Sequence, residues 1–571
     1  MFSVQPKQTH SMHTRDGVRL DADIYSPVGK GPFPVLLMRQ PYGRAIASTI
    51  VYAHPHWYAA HGYIVVIQDV RGRGTSAGEF HLFAHEVEDG EDTLHWAAQL
   101  PHSDGQVGMY GFSYQGMTQL YAAQAQAQSN VRSGGDQPQL LKTIVPAMTG
   151  YRLYEDWAYE NGALCLQLGL TWAIQLAAET ARRKGAIALY QKLVSAAHHL
   201  PLRDQVPACP AVLEGTASFF YDWVAHPIVD SYWKDITPDL AGVNLPTLHI
   251  GGWFDPYLRG DVRLYKELSA SNQQRHHLQI GPWGHIPWSR RVGEMDFGPA
   301  AMSSIDSLQI RWFDHILKGK ALTGESKPVR LFEMGRNQWQ CLSSWPKNRA
   351  EGRPEASVKA YWLDSTGLAN VREDSGTLSE TAIRTSHYDV IVHDPWNPAP
   401  ASGGHSALPA GVFERTAVDA RGDVLTYTSA PLTEELRVAG VIEMVGAIAA
   451  STPSCDLGAV LSRVMHTATG TKIYNLTQGY RRIDGLAASD DFTKTSRITL
   501  ALHPTCFSLQ AGESLRLSLS AACFPAYPVN PGTGAQPDSA RLIDAQIITM
   551  AIAIGGPTGA ELFLPLAHTD R

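Results

Sequence analysis

The stretch "MYGFSYQGMTQLYAAQAQ", residues 109–126, decides the fold because its pattern changes at one serine. Before Ser113 the residues form a short apolar run typical of a strand, and after it they follow helical spacing. A serine at such a turn projects above the sheet when its neighbours are small. Gly111 supplies one small neighbour, whereas Gln115 stands where the common G-x-S-x-G motif has glycine and Gly116 follows one residue later. The turn is therefore a candidate nucleophile position, and a purely structural turn is the alternative.

The segments around this turn predict a parallel sheet with helices on both faces. Residues 33–40 and 63–70 are near-continuous aliphatic runs, and residues 86–100 form a long amphipathic pattern. A further strand-like run follows at residues 140–150. Buried strands that alternate with helices indicate an α/β fold.

The chain divides into four segments by pattern. Its 571 residues exceed what one hydrophobic core can hold, so more than one domain is expected. Residues 1–147 and 241–345 predict two parts of one α/β core, because strand patterns stop near 148 and resume after 240. Residues 148–240 predict a helical cap inserted between them. Residues 346–571 alternate apolar with polar residues between Gly- and Pro-rich turns, which indicates an antiparallel β-sandwich of the jelly-roll type.

Composition excludes several functional classes. The net charge is −7 and basic residues are scattered, so we expect no nucleic-acid partner. Apolar runs are too short to span a bilayer and the N-terminal residues lack the apolar core of a secretory signal, so we expect no membrane partner and a cytoplasmic location.

Six cysteines lie far apart in the sequence, without the close pairs of a zinc site. They are expected to be buried, reduced thiols. A pairing of Cys506 with Cys523 across neighbouring strands stays open.

A serine nucleophile requires a base that is oriented by a carboxylate. Asp255 follows the strand-like run "PTLHIGG", and His285 follows "HLQIG". Both positions lie at the carboxyl ends of predicted parallel strands, where open α/β sheets place their sites. The order Ser, Asp, His along the chain is the one this architecture usually shows.

These motifs together resemble the cocaine-esterase and X-Pro dipeptidyl-peptidase group of serine hydrolases, the CocE/NonD family. In that group the turn at the nucleophile reads G-x-S-Y-x-G, which "GFSYQG" matches. The resemblance spans nearly the whole chain and rests on six motifs: "GFSYQG", "DVRGRGTSAGEF" at 69–80, "EDGEDTLHW" at 88–96, "GGWFD", "GPWGH" and "FPAYPVNPGTG" at 524–534.

The resemblance implies a role for each candidate residue. Ser113 would be the nucleophile, His285 the general base and later acid, and Asp255 the carboxylate that orients the histidine. Tyr42, in "RQPYGR", matches a tyrosine whose hydroxyl contributes to the oxyanion hole, and the backbone amide of Tyr114 would be the second donor. The alternative for Tyr42 is an aromatic residue that only packs against the serine turn.

The substrate pocket is predicted from the cap and from the residues after the nucleophile. Gln115 is a candidate, and Trp157 and Tyr159 are the best candidates in the aromatic cluster at 151–164. The loop "DVRGRGTSAG" lacks the Lys and Ser/Thr of a phosphate-binding P-loop, so it is interpreted as a tight turn. The acidic run "HEVEDGED" lacks calcium-loop spacing, and neither a metal nor another cofactor is expected.

Three functions remain open at this point. The first is a carboxylic-ester hydrolase acting on a small, bulky or aromatic acyl ester, with amide cleavage as a minor activity. The second is an X-Pro dipeptidyl-peptidase or α-amino-acid ester hydrolase, which needs carboxylates to hold a substrate ammonium. Gln115 argues against this second function, because such hydrolases tend to have an acidic residue at that position. Glu155, Asp156 or Glu160 could still supply the negative charge.

The third function is a non-catalytic binding protein, since sandwich domains often bind carbohydrate or protein. The expected partner is a small-molecule ester or amide. A homodimer is compatible with the sequence, although no stretch specifies one.

Overall fold

The structure is a computed structural model that describes residues 1–135, 138–202, 204–270, 272–322, 327–349, 357–468, 470–489 and 491–567. Among these residues, no helix combines the length and the apolar character needed to cross a membrane.

The first part of the chain alternates strands with helices. Its central strands are mainly aliphatic and largely buried, as in "FPVLLMRQ", because helices cover both faces of the sheet, whereas the edge strand Gln8–His13 is polar and mostly exposed. The elements are β1 (Gln8–His13), β2 (Arg19–Tyr25), β3 (Phe33–Gln40), α1 (Pro55–Ala60), β4 (Ile64–Asp69), α2 (Glu86–Ala98), β5 (Ser103–Phe112), α3 (Tyr114–Arg132) and β6 (Leu141–Ala147).

A mainly helical insertion follows β6. It contains a short β-hairpin that was not predicted from the sequence. Asn161 and Gly162 form its two-residue turn, at φ of 44° and 84°. An Asn-Gly pair favours this tight turn, because both residues tolerate positive φ. The elements are β7 (Tyr159–Glu160), β8 (Ala163–Leu164), α4 (Leu166–Arg183), α5 (Ile187–His198), α6 (Phe219–Ala225) and α7 (Ser231–Ile236).

The sheet then resumes beside the strand at which it stopped. β6 pairs in parallel with the next long strand, Ile144 opposite Thr247 and Ala147 opposite Ile250. The elements are β9 (Thr247–Phe254), α8 (Leu258–Ser269), β10 (His276–Gly284), β11 (Arg291–Val292), β12 (Met295–Asp296), α9 (Ile305–Lys318), β13 (Val329–Glu333) and β14 (Gln338–Leu342). The ten-stranded order is β1-β2-β4-β3-β5-β6-β9-β10-β13-β14, and the strands from β4 to β13 run parallel.

The C-terminal part is dominated by strands, most of which pair antiparallel, and an eleven-stranded sheet contains most of them. Strand β23 shows the pattern that predicted it, because its buried and exposed residues alternate. The elements are β15 (Val358–Asp364), β16 (Thr377–Ser379), β17 (His387–His393), α10 (Thr416–Asp419), β18 (Val424–Ser429), β19 (Leu436–Gly440), β20 (Glu443–Ala450), β21 (Ser454–Thr467), β22 (Gly470–Asp484), β23 (Ser496–Ala501), β24 (Thr505–Leu509), β25 (Ser514–Ser520), β26 (Ile548–Ile554) and β27 (Glu561–Pro565).

The hydrophobic cores connect these parts. One cluster joins the α2 and α3 face of the sheet to the insertion, and another joins β9, β10 and β13 to the C-terminal strands. All six cysteines are free thiols, so Cys506 and Cys523 are not bonded to each other. Cys341 is exposed, which departs from the expectation that the cysteines are buried.

Candidate active site

Ser113 lies at the sharp turn between β5 and α3. Its φ is 60° and its ψ is −128°, a conformation rarely adopted by residues other than glycine. The turn requires small residues on both sides. A Cβ on Gly111 would lie 2.4 Å from the Cβ of Gln115, and one on Gly116 would lie 2.7 Å from Cγ2 of Thr149. The displaced second glycine is thus the residue at which α3 packs against the loop after β6.

Hydrogen bonds fix the backbone of this turn. The Ser113 amide donates to the Ala147 carbonyl oxygen over 2.9 Å, and the Gly116 amide donates to the Ser113 carbonyl oxygen over 2.8 Å. The Phe112 amide donates to Oε1 of Gln115 over 3.2 Å. The neighbouring sheet and the first turn of α3 therefore hold the serine in its strained conformation.

Asp255 and His285 lie at the ends of the adjacent parallel strands β9 and β10. Nδ1 of His285 lies 2.6 Å from Oδ1 of Asp255. The Asp255 side chain is fully buried, whereas 27% of the His285 side chain is exposed. The Tyr257 amide donates to Oδ2 of Asp255 over 3.1 Å, so both carboxylate oxygens have a donor. This geometry leaves Nε2 of His285 free of the carboxylate.

Tyr42 follows β3 and directs its hydroxyl towards the serine. Trp172 and Ser113 lie close enough to the phenol to favour its ionised form, and the positive charge of Arg73 favours that form as well. Burial dominates these contributions and raises the pKa of Tyr42 to about 12. The hydroxyl therefore stays protonated, and able to donate, at neutral pH.

The group that Tyr114 can offer to a ligand at Ser113 is its backbone amide, because its side chain is buried. Its ring is buried against Phe83 at a centroid distance of 4.6 Å, and its hydroxyl donates to Oε1 of Glu86 over 2.7 Å. Its amide is the first of α3, a position at which helix amides have no partner within the helix.

A cavity of about 430 Å³ connects these groups. Ser113, His285, Tyr42 and Gln115 line it, and α4 and Tyr257 complete its wall. Among its lining residues, all of which belong to the described part of the chain, none is Asp, Glu, Lys or Arg. Four exposed aliphatic side chains that also line it are Ile46, Ile50, Ile286 and Leu408.

Two of the predicted pocket residues lie behind the cavity wall. Trp157 stacks on Tyr257 at a centroid distance of 4.2 Å, and its Nε1 donates to the Gly150 carbonyl oxygen. Tyr159 is fully buried, stacks on Tyr154 and donates its hydroxyl to the Trp223 carbonyl oxygen. Neither residue lines the cavity, because both pack in the core beneath it. Gln115 lines it as predicted, and its Nε2 has no hydrogen-bond partner among the described residues.

The three acids proposed to hold a substrate ammonium are paired with arginines. Asp156 is buried and lies 2.5 Å from Arg263, which also lies 3.0 Å from Glu155. Glu160 is buried and lies 2.5 Å from Arg259. None of the three acids lines the cavity.

Sequence reasoning missed most of the cavity wall. Helix α4 contributes Leu168, Thr171, Trp172 and Gln175, whose spacing of three and four residues is that of one helix face. That periodicity is readable in the sequence, but it does not show what the face covers. Leu408, from the C-terminal part, is far from the other lining residues in sequence, and no local sequence pattern predicts that it lines the cavity.

Glu160 also joins the insertion to the C-terminal part behind Asp255. It accepts hydrogen bonds from the Tyr527 hydroxyl over 2.7 Å and from Nε2 of His405 over 2.9 Å. The His405 ring stacks on His503 at 3.8 Å, and Nε2 of His503 donates to the Asp255 carbonyl oxygen over 2.9 Å. Burial opposes ionisation of Glu160, but Arg259 and His405 hold its pKa well below the usual value.

Replacing this carboxylate is expected to destabilise the protein. Glu160→Gln leaves Arg259 and His405 without their shared anion, and breaking a buried ion pair costs about 3–5 kcal/mol. The urea midpoint of the unfolding step that includes the C-terminal strands measures the loss. Glu155→Gln is the matched control, because its side chain is 41% exposed and the loss there should stay below about 1 kcal/mol. Equal losses in the two variants would contradict this role.

Comparisons with known proteins give consistent results. The family model of X-Pro dipeptidyl-peptidase (S15 family) matches residues 16–287, and that of the X-Pro dipeptidyl-peptidase C-terminal non-catalytic domain matches residues 323–558. The chain is 30% identical to cocaine esterase of Rhodococcus sp. (strain MB1 Bresler) over 548 residues, which is 91% of each chain.

Solved structures share the fold over nearly the whole chain. An α-amino acid ester hydrolase superposes with a TM-score of 0.79 at 22% identity, covering 99% of this chain and 97% of that one. An aminopeptidase from the marine sediment archaeon Thaumarchaeota archaeon superposes with a TM-score of 0.78 at 23% identity and the same coverage. The predicted fold class is confirmed, whereas the jelly-roll connectivity of the C-terminal part stays a prediction.

Proposed function

The chain belongs to the CocE/NonD family of serine hydrolases, the group of cocaine esterase and the X-Pro dipeptidyl-peptidases, and on that premise we propose that it hydrolyses neutral carboxylic esters through an acyl-enzyme. The observation that carries this substrate class is the uncharged wall of the cavity at Ser113 and His285. The preferred substrate is a small ester whose acyl group is bulky or aromatic.

Ser113 is the proposed nucleophile. Its Oγ attacks the ester carbonyl carbon while Nε2 of His285 takes the hydroxyl proton. Asp255 accepts a hydrogen bond from Nδ1 of the same ring, and this fixes the tautomer in which Nε2 can accept a proton. The carboxylate also stabilises the imidazolium that forms. The short contact between Nδ1 and the buried carboxylate supports this role.

Two donors stabilise the negative charge on the former carbonyl oxygen. The proposed donors are the Tyr42 hydroxyl, from the loop after β3, and the Tyr114 amide, at the start of α3. Such donors are most effective when they are fixed in a site that excludes water. The neutral phenol can donate a hydrogen bond to this oxygen, since burial raises the pKa of Tyr42 to about 12.

The reaction ends with hydrolysis of the acyl-enzyme. His285 returns its proton to the leaving alkoxide, the C–O bond to the alcohol breaks, and the ester of Ser113 remains. Water then attacks the same carbonyl carbon while Nε2 of His285 takes a proton from the water. The bond between the acyl carbon and Oγ of Ser113 breaks, His285 returns the proton to Oγ, and the acid is released. The partly exposed His285 is accessible to this water.

The cavity wall disfavours substrates with a free ammonium. A buried cation without a partner is costly, so peptidase and amino-ester specificity need a carboxylate in the pocket. Glu155, Asp156 and Glu160 are paired with arginines, and the described residues that line the cavity include no acid. Four exposed aliphatic side chains at the cavity instead suit an apolar acyl or alcohol group.

Removing the Tyr42 hydroxyl is expected to slow the chemical step. Tyr42→Phe should lower kcat for p-nitrophenyl acetate by roughly 10²- to 10³-fold with little change in KM, because an oxyanion donor is lost. The hydroxyl donates only while protonated, so the rate ratio of wild type to variant should stay constant from about pH 6 to about pH 10 and decline only as the pH approaches the Tyr42 pKa.

Tyr110→Phe is the matched control for that variant. Tyr110 is buried, its hydroxyl has no partner among the described residues, and it does not line the cavity. Its kcat should match the wild type. Equal kcat values for Tyr42→Phe and the wild type would remove Tyr42 from the oxyanion hole.

A carboxylate at position 115 is expected to shift specificity towards amino esters. In Gln115→Glu one oxygen can still accept from the Phe112 amide, and the other replaces the buried, unpartnered Nε2 of this cavity-lining residue. The kcat/KM ratio of phenylglycine methyl ester to phenylacetate methyl ester should rise by about tenfold or more, since a charged hydrogen bond is worth about 1.5–3 kcal/mol. Gln175→Glu, at an exposed position of the wall, is the control. An unchanged ratio would contradict the placement of Gln115 beside the acyl group.

The substrate proposal is tested with p-nitrophenyl acetate, p-nitrophenyl benzoate and an X-Pro p-nitroanilide. Efficient turnover of an ester, with the anilide far slower, is the expected result. An anilide cleaved far faster than either ester would assign the chain to the dipeptidyl-peptidases instead. A folded protein that cleaves no member of the panel and resists a fluorophosphonate would support the binding-protein alternative.

A further inference from the structure

A second cavity of about 450 Å³ lies on another face of α4. The catalytic cavity contacts Leu168, Thr171, Trp172 and Gln175 of this helix, whereas the second cavity contacts Ala173, Leu176, Ala177 and Thr180. The wall between them includes Trp172, whose ring lies 4.8 Å from that of Phe219, a lining residue of the second cavity.

Arg73, from the loop after β4, lines this second cavity without a counterion. The residue is 1% exposed, and its Nε has no hydrogen-bond partner among the described residues. Nη1 donates to the Leu176 carbonyl oxygen over 3.1 Å, and the guanidinium carbon lies 3.8 Å from the centre of the Phe80 ring. A buried guanidinium that has only a carbonyl and a ring as partners is costly.

A second arginine lines the same cavity. Nη2 of Arg183 donates to the Ser76 carbonyl oxygen over 2.8 Å, and within the described ranges Arg183 has no ion pair. Burial, together with the Arg183 charge, lowers the pKa of Arg73 to about 10. Glu179 also acts on Arg73, but that carboxylate lies 2.7 Å from Arg182.

The other charged residues that line the second cavity do not cancel the positive charge of the two arginines. Glu79 and Lys184 pair at 3.3 Å and are both exposed. Asp222 is the other acid of the wall, and its single negative charge only partly offsets the positive charges of the two arginines. The rest of the lining includes apolar groups from Phe80, Leu82, Leu176 and Phe219. An occupant that fits has one negative charge and an apolar body.

We propose that the second cavity binds a small carboxylate with an aromatic or aliphatic body, whose carboxylate lies between Arg73 and Arg183 and whose body packs on Phe80 and Phe219. A guanidinium and a carboxylate match in geometry and form strong charge-assisted hydrogen bonds. This site is separate from the catalytic cavity, and its existence does not depend on the catalytic roles proposed above.

Benzoate is the probe for this site, measured by calorimetric titration of the full chain. Arg183→Gln should weaken binding by about tenfold or more, since it removes one charged donor, whereas Arg183→Lys should weaken it less, because the charge stays and only the paired donors are lost. Lys192→Gln on α5 is the control, because it removes an exposed positive charge from a residue that does not line the cavity. Ester hydrolysis by Arg183→Gln should equal that of the wild type. Benzoate binding that is absent, or equal in Arg183→Gln and wild type, overturns the proposal.

Location and ligand chemistry are tested separately. A crystal of the wild type with 4-iodobenzoate should show iodine in the second cavity, and iodine only in the catalytic cavity overturns the proposal. Benzamide should bind much more weakly than benzoate, and equal binding overturns the role of the charge. Inorganic phosphate that binds as tightly as benzoate overturns the role of the apolar body.

Discussion

Ser113→Ala is expected to lower kcat for p-nitrophenyl acetate by roughly 10⁴- to 10⁶-fold, with the fold intact. The reason is that no acyl-enzyme can form without Oγ, so the remaining rate comes only from binding and from the oxyanion donors. Initial rates under saturating ester measure the effect, after subtraction of the uncatalysed reaction.

The control for this variant is Ser129→Ala, on the same helix but away from the cavity. It should retain wild-type kcat. Circular dichroism and the thermal midpoint should show that both variants fold. A Ser113→Ala protein with wild-type kcat would mean that the strained turn is structural and that another group attacks the ester.

Asp255→Asn is expected to lower kcat by about 10⁴-fold with a much smaller effect on KM. The asparagine amide can donate to Nδ1 of His285, which would place the proton on Nε2 and leave no acceptor facing Ser113. The loss should therefore appear in the chemical step and not in substrate binding. Pre-steady-state release of p-nitrophenol measures acylation directly.

Asp296→Asn is a matched control, because it removes a carboxylate from an exposed ion pair with Arg290. Its kcat should be unchanged. If Asp255→Asn retained more than about a tenth of the wild-type kcat, the orienting role of Asp255 would be contradicted.

The sequence was sufficient to predict that Asp255 lies beside His285 and that Ser113 lines the same cavity as this histidine. Ser113, Asp255 and His285 follow strands whose carboxyl ends share one edge of the sheet, so their proximity depends only on strand order. The parallel pairing of β6 with β9 across a long insertion brings those strands together. The displaced glycine was also interpretable, since Gly116 is where α3 contacts Thr149.

The cavity wall could not be predicted in the same way. Aromatic residues such as Trp157 and Tyr159 look alike in the sequence whether they line a cavity or pack behind its wall. The contacts of Leu408 and of His503 with the site join residues far apart in the chain, and no local pattern encodes them. The pairing of Glu160 with Arg259 likewise appears only in the folded chain. The borders of the four predicted segments stay predictions.

Peptide mapping after reaction with a fluorophosphonate tests the central claim most directly. The proposal predicts one phosphonyl group per chain on the peptide that contains Ser113, formed in step with the loss of ester hydrolysis. Reaction at Ser113 should fall sharply in Asp255→Asn, since His285 can no longer accept the serine proton. A label on another residue, or full inactivation with Ser113 unmodified, would contradict the assignment of Ser113 as the nucleophile.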